Sequence, residues 1–204
     1  MLWAVVGAAV ASAVWGGGVL LLRRGSSAGG LNGYTLTENL CKNTDVSAFK
    51  STYPQDDATP TGSTVKGKAV DDMSCSVGLE MASSSYPDAY VYVQYSLHKK
   101  TDPGPEFTDD WLGYSQQAGS RYDVKPISGY GEEAYLVTQD TVTTSSGDRY
   151  VTLAVRDGWM TYSMNWSQYA SSLDTQNGTT VPTVDQATAW VQAATKATLP
   201  KLRG

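Results

Sequence analysis

The chain has 204 residues, with 20 acidic side chains against 15 basic ones and a single histidine. Past residue 24 the balance is 20 acidic to 13 basic, near −7. That excludes the basic face nucleic acid demands and a polybasic hold on anionic lipid.

Residues 2–22, LWAVVGAAVASAVWGGGVLLL, carry no charge. As a helix they would span roughly 31 Å, against a bilayer core of about 30 Å. They read as a single transmembrane anchor within residues 1–24. Two other readings compete. One is a cleaved signal peptide, for which Ala11-Ser12-Ala13 supplies a small-x-small site although no basic segment precedes it. The other is a buried core helix, disfavoured by three consecutive glycines at 16–18. Arg23 and Arg24 follow the apolar run, which on the positive-inside rule would leave the remainder in the cytoplasm. The cysteines oppose this. Cys41 and Cys75 form an even pair in a Tyr/Ser/Thr-rich segment and read as one disulfide in an oxidising compartment; two unrelated buried thiols are the competing reading. A basic segment upstream of the given start would reconcile the two signals.

Residues 25–33, GSSAGGLNG, form a flexible linker, and a domain of about 170 residues starts at 34, large enough for its own core. In NTDVSAFKSTY a short helix is expected, capped by Thr44 or Asp45, with Val46 and Phe49 inward. A weak strand near Val65 precedes an alternating one at 74–81. Residues 89–98, AYVYVQYSLH, alternate more clearly: Ala89, Val91, Val93, Tyr95 and Leu97 share one side, while Tyr90, Tyr92, Gln94, Ser96 and His98 share the other. Over 107–118 the period changes to helical, with Phe107, Trp111, Tyr114 and Ala118 on one stripe and Asp109 and Asp110 in the first turn.

Strands are expected at 122–128, 133–143, 148–156 and 159–167, with turns at TSSGD (144–148) and RDG (156–158). Thr183 and Gln186 make a capping box. The final helix carries Ala187, Trp190, Val191 and Ala194 on one stripe until Pro200. Hairpin-joined strands with helices at the ends imply an α+β domain with one antiparallel sheet, its two amphipathic helices covering one face.

Little catalytic chemistry stands out. His98, beside Lys99 and Lys100, reads as a strand end whose pKa those cations lower. The doublets Asp56-Asp57, Asp71-Asp72, Asp109-Asp110 and Glu132-Glu133 fall in loops or a helix first turn, where acids are common. No metal or cofactor is expected. Asn165 and Asn177 sit in glycosylation sequons. The aromatic balance is the informative feature: 13 Tyr and 6 Trp against 2 Phe, residue types suited to amphipathic contact surfaces. Tyr90 and Tyr92, on the side of their strand opposite the apolar one, would form a platform for glycan, lipid or protein. Cross-strand aromatic packing under a loop is the structural alternative.

An apolar anchor, a Gly/Ser linker, an early Cys41, a second Cys75 on a strand, the turn GYGEEAY (129–135) and a hairpin ending in VRDG (155–158) together resemble small actinobacterial cell-envelope proteins. The chain is similar to LpqN-type lipoproteins, whose sheet-and-helix domain is Mog1/PsbP-like. Over residues 34–203 the resemblance implies an extracytoplasmic location, a Cys41–Cys75 bridge and a binding role, and it carries over no catalytic residue. TENLCKN (37–43) is no lipobox, so the anchor would be the apolar helix itself.

The expectation is a membrane-anchored, non-catalytic envelope binding module contacting an envelope protein, lipid or glycan, with Tyr90, Tyr92, Tyr130, Glu132 and Glu133 as its candidate surface. Two alternatives are an envelope hydrolase using paired carboxylates such as Glu132 and Glu133, which requires raised pKa values in a shared pocket, and a sensor or accessory subunit pairing through Gly7 and Ala11.

Overall fold

The computed structural model describes residues 30–56, 59–82, 84–117, 119, 121–143, 146–171 and 181–204. The chain divides into Met1–Gly30 and Leu31–Gly204, and all the described elements belong to the second unit. Among the described residues no helix is long and apolar enough to cross a membrane; residues 2–22 lie outside them.

The domain is α+β, built on one antiparallel sheet. Its strands are β1 (Gln55–Asp56), β2 (Thr61–Lys66), β3 (Val70–Glu80), β4 (Ala89–His98), β5 (Asp123–Pro126), β6 (Glu133–Asp140), β7 (Gly147–Asp157) and β8 (Met160–Ala170). They lie in the order β1-β3-β4-β8-β7-β6-β5, and β2 also pairs with β3. The helices are α1 (Leu40–Asn43), α2 (Gly104–Gly113) and α3 (Val184–Thr198), with 3-10 turns at Ser47–Phe49, Tyr114–Gln116 and Leu199–Leu202.

Strand alternation sorts the side chains onto two faces. On the core face Val93, Met164 and Leu153 stand side by side across β4, β8 and β7, all fully buried. The stripe Ala187, Val191 and Ala194 of α3 packs there. Trp190 makes edge-on contacts with Phe49, Tyr53 and Trp166 at 5.8, 6.0 and 6.4 Å. The Tyr53 hydroxyl donates to Gln168 Oε1. The capping box of α3 forms as expected: Thr183 Oγ1 accepts from the Gln186 N–H, and Gln186 Oε1 accepts from the Thr183 N–H.

The two amphipathic helices do not share a face. Phe107 of α2 packs on Tyr135 and Ala154, whose strand neighbours Ala134 and Val155 point into the other, α3-covered core. The physical reason lies in β7. Thr152, Leu153, Ala154 and Val155 are all buried, so this strand is covered on both sides.

Other boundaries also move. The segment after Thr44 makes only a 3-10 turn, in which Asp45 Oδ1 accepts from the Ser47 N–H at 2.9 Å. A separate helical turn, α1, precedes it and is capped by Asn39. Helix α2 starts at Gly104, earlier than expected, because Asp102 Oδ1 accepts the Gly104 N–H and Pro105 suits the first turn. Glu106 therefore occupies that turn, and Asp109 and Asp110 lie further along. Ala118 and Asn177 lie outside the described residues. Asp71 and Asp72 sit within a strand, not a loop. The hairpin at 156–158 turns tightly, with Gly158 at φ +61° between the paired Asp157 and Met160.

The Cys41 and Cys75 sulfurs lie 2.08 Å apart, so α1 is tied to β3 by a disulfide, and Cys75 is fully buried. Closing a loop of this length stabilises a domain by roughly 3–4 kcal/mol. Reduction should therefore lower the unfolding free energy by about that amount in a denaturant titration followed by tryptophan fluorescence. A midpoint unmoved by reductant would show that the bridge does not contribute.

Candidate functional site

The face opposite α3 is polar and mostly open. From β4 it presents Tyr90, Tyr92, Gln94, Ser96 and His98. From β8 it presents Thr161, Ser163, Asn165 and Ser167, which stand opposite those β4 residues. Tyr90 and Tyr92 are 50% and 43% exposed, and α2 reaches only the other end of the face. Neither ring is enclosed as a buried aromatic cluster would require. Tyr169, also exposed, continues the row on β8. Tyr86, Tyr90 and Tyr169 line a depression of about 430 Å³ at that end of the face.

At the other end α2 overhangs the sheet and closes a cleft of about 240 Å³. Pro103, Glu106, Phe107, Asp110 and Trp111 line it from the helix. They recur at i, i+3, i+4, i+7 and i+8, one stripe of a helix. The floor is Asp72, Gln94, Ser96, His98, Thr161 and Ser163. Asp72 accepts from Ser96 Oγ at 2.5 Å and from Gln94 Nε2 at 3.5 Å, both neutral groups. Its sequence neighbour Asp71 faces the opposite side and pairs with Lys99 at 2.5 Å.

His98 lies 3.3 Å from Thr161 Oγ1. Burial, not the adjacent lysines, pushes its pKa down, and Glu106, Asp72 and Asp102 only partly oppose this. The charged imidazolium is therefore disfavoured beside these carboxylates.

The remaining candidates have other work. Tyr130 is only 6% exposed. Its GYG turn holds Gly129 and Gly131 at φ +91° and +66°, and a Cβ on Gly131 would meet the Arg156 carbonyl oxygen at 2.6 Å. Lys196 sits 5.3 Å from its ring centre. Tyr130 is thus a core residue with a cation over its ring. Glu132 and Glu133 share one guanidinium: Arg156 Nη1 donates to Glu132 and Nε to Glu133, both at 2.9 Å. Glu133 also accepts from Thr108 of α2 at 2.7 Å and from the Tyr135 hydroxyl at 2.8 Å. Burial raises the Glu133 pKa, but these three donors together outweigh it and hold the carboxyl below its ordinary value. A general acid requires the opposite shift. This network anchors α2, and with it the cleft wall.

Along the underside of α2 and the adjoining sheet runs a chain of rings. Phe107 contacts Tyr135 at 6.0 Å and Trp111 at 6.2 Å; Trp111 stacks on Tyr114 at 5.4 Å; Tyr114 meets Tyr122 at 5.2 Å and Tyr122 meets Tyr150 at 5.6 Å. The last four come from α2, the 3-10 turn after it, the residue preceding β5, and β7. They account structurally for three of the 13 tyrosines. Asn165, in its sequon, is half-buried on the open face and donates to Thr152 Oγ1 at 3.0 Å.

Among the described residues, no three carboxylate, His or Cys side chains come close enough together to hold a metal ion. Comparison with protein-family models, with curated proteins and with solved structures finds no match.

Asp72, Gln94, Ser96, Glu106, Asp110, Trp111, Thr161 and Ser163 were not singled out as site residues from the sequence. Part of the signal was present, since Gln94, Ser96 and His98 continue the parity of Tyr90 and Tyr92. The contribution of α2 needed its face assignment.

The depressed Glu133 pKa has a signed consequence. Its ionised form contributes stability that is complete above the ordinary value of 4.5 and is lost as pH falls through the lower folded value. The stability gap between wild type and Glu133→Gln should stay constant from pH 7 to about 5 and shrink on further acidification. A gap independent of pH down to 2 would mean that Glu133 ionisation is not linked to folding.

Proposed function

We propose that this protein is a membrane-anchored extracytoplasmic binding module of the cell envelope, recognising its ligand through the open sheet face. The observation that carries the reading is that face itself: a polar, hydroxyl- and amide-rich surface with exposed Tyr90 and Tyr92, left bare at one end and walled by α2 at the other. A surface of this kind suits recognition through aromatic contact and side-chain hydrogen bonds. The Cys41–Cys75 disulfide supports an oxidising compartment. The uncharged run 2–22 supports a single-pass anchor.

Two measurements test the proposal. Cys41 is half-buried, whereas Cys75 is fully enclosed, so Cys41 is the thiol to follow with an impermeant maleimide on intact cells. Labelling that appears only after reduction is expected; free labelling after lysis alone, without reductant, would put the domain in the cytoplasm. Second, the double substitution Tyr90→Ala and Tyr92→Ala should weaken retention of the protein on isolated envelope material at least tenfold, about 1.4 kcal/mol or more. Both rings are about half exposed, so the melting temperature should fall by only a few degrees and the variant should stay folded. Undiminished retention would remove the open face from the reading.

A further inference from the structure

We propose that the cleft under α2 binds a sugar residue carrying a free, protonated amine, so that the ligand of the open face is an amino-sugar-containing saccharide. This rests on the reading of the open face as the recognition surface and adds the chemistry of what it recognises.

Charge is the first argument. Asp72, Glu106 and Asp110 face the cleft, and among the described residues none of them has an ion-pair partner and no Lys or Arg lines it. This is not for lack of cations nearby: Lys99 is taken by Asp71 on the other side of the sheet, and Arg156 by Glu132 and Glu133. Burial disfavours the charged form of His98. An uncompensated negative cleft with an aromatic wall attracts a cation, and the Trp111 ring adds a favourable surface for it.

Geometry then decides what kind of cation. The three carboxylates are spread around the cleft instead of converging on one point, and among the described residues no metal-holding group forms. A bare metal ion is therefore poorly served, while an ammonium carried on a larger body can approach the acids from inside the cleft. Between the acids lie Gln94, Ser96, Thr161 and Ser163, neutral donors and acceptors that suit a ring bearing several hydroxyls. A volume of about 240 Å³ accommodates a small group of this kind. A basic peptide fits less well. The floor strands β4 and β8 are paired on both edges, so no backbone is free to receive an added strand.

The test uses the full chain in a polyoxyethylene detergent, which carries no sugar headgroup. Binding of a β-1,4-linked glucosamine tetrasaccharide and of its fully N-acetylated form is measured by calorimetry at pH 6 in low salt. These probes share ring and hydroxyls and differ in the amine charge. The free-amine form should bind at least tenfold more tightly. In Glu106→Gln/Asp110→Asn that preference should fall below threefold, and in wild type it should weaken with added salt. Both side chains are exposed, and an unchanged melting temperature confirms folding of the variant.

Equal binding of the two tetrasaccharides, or a preference that survives the double substitution, would overturn the amine selectivity. Butylamine binding as tightly as the tetrasaccharide would overturn the saccharide assignment. Failure of both tetrasaccharides to bind, while envelope retention still depends on Tyr90 and Tyr92, would overturn this inference and leave the binding-module reading standing. Loss of that dependence as well would overturn both.

Discussion

The guanidinium of Arg156 decides where the open face ends. It holds Glu132 and Glu133 together, and Glu133 in turn accepts from Thr108 of α2. The helix therefore reaches the sheet through a charge-assisted contact as well as through Phe107. The arrangement suits a half-buried site: each charge is paired, and the carboxylate's remaining capacity is met by hydroxyls, which offsets desolvation. With α2 fixed at that point, its acidic and aromatic stripe overhangs β4 and β8, and the rest of the face stays uncovered.

The two faces of the sheet use alternation differently. Over β3, β4 and β8 alternate residues are mostly core and the intervening ones are mainly polar, Ser, Thr, Asn, Gln and Tyr together with Asp72, Glu80 and His98. Under α2, β6 and β7 bury both sides. The result is one continuous sheet that is two layers thick at one end and three at the other. The step between them is the cleft, so the site is a consequence of layering and needs no dedicated loop.

Much of this was legible in the sequence, and the limits are physical. AYVYVQYSLH reads directly as β4 because a half-buried strand repeats every two residues. Thr183 and Gln186 announce α3 because a capping box is local chemistry. Period alone cannot say which face a helix covers. That required noticing that YVTLAV in β7 does not alternate, a sign of two-sided burial. Tyr130 and Glu133 show the same limit at the site. An aromatic or acidic residue in a glycine-rich turn looks available until tertiary contacts claim it, here Lys196 over one and Arg156 beside the other. Strand β2 was faint because its side chains are largely exposed, so burial imposes little pattern on them.

The ends of the domain meet. Tyr34 bridges Arg203, the Thr35 N–H donates to the Leu202 carbonyl, and the Gly204 N–H donates to the Gly33 carbonyl. Arg203 adds a side-chain clasp, lying over the Tyr34 ring and binding Asp157 at 2.8 Å. Mechanically this corner is a buckle. A pull on the chain entering at residue 33 is shared at once with residues 202–204 and, through Asn32 and Arg203, with Asp157 at the end of β7.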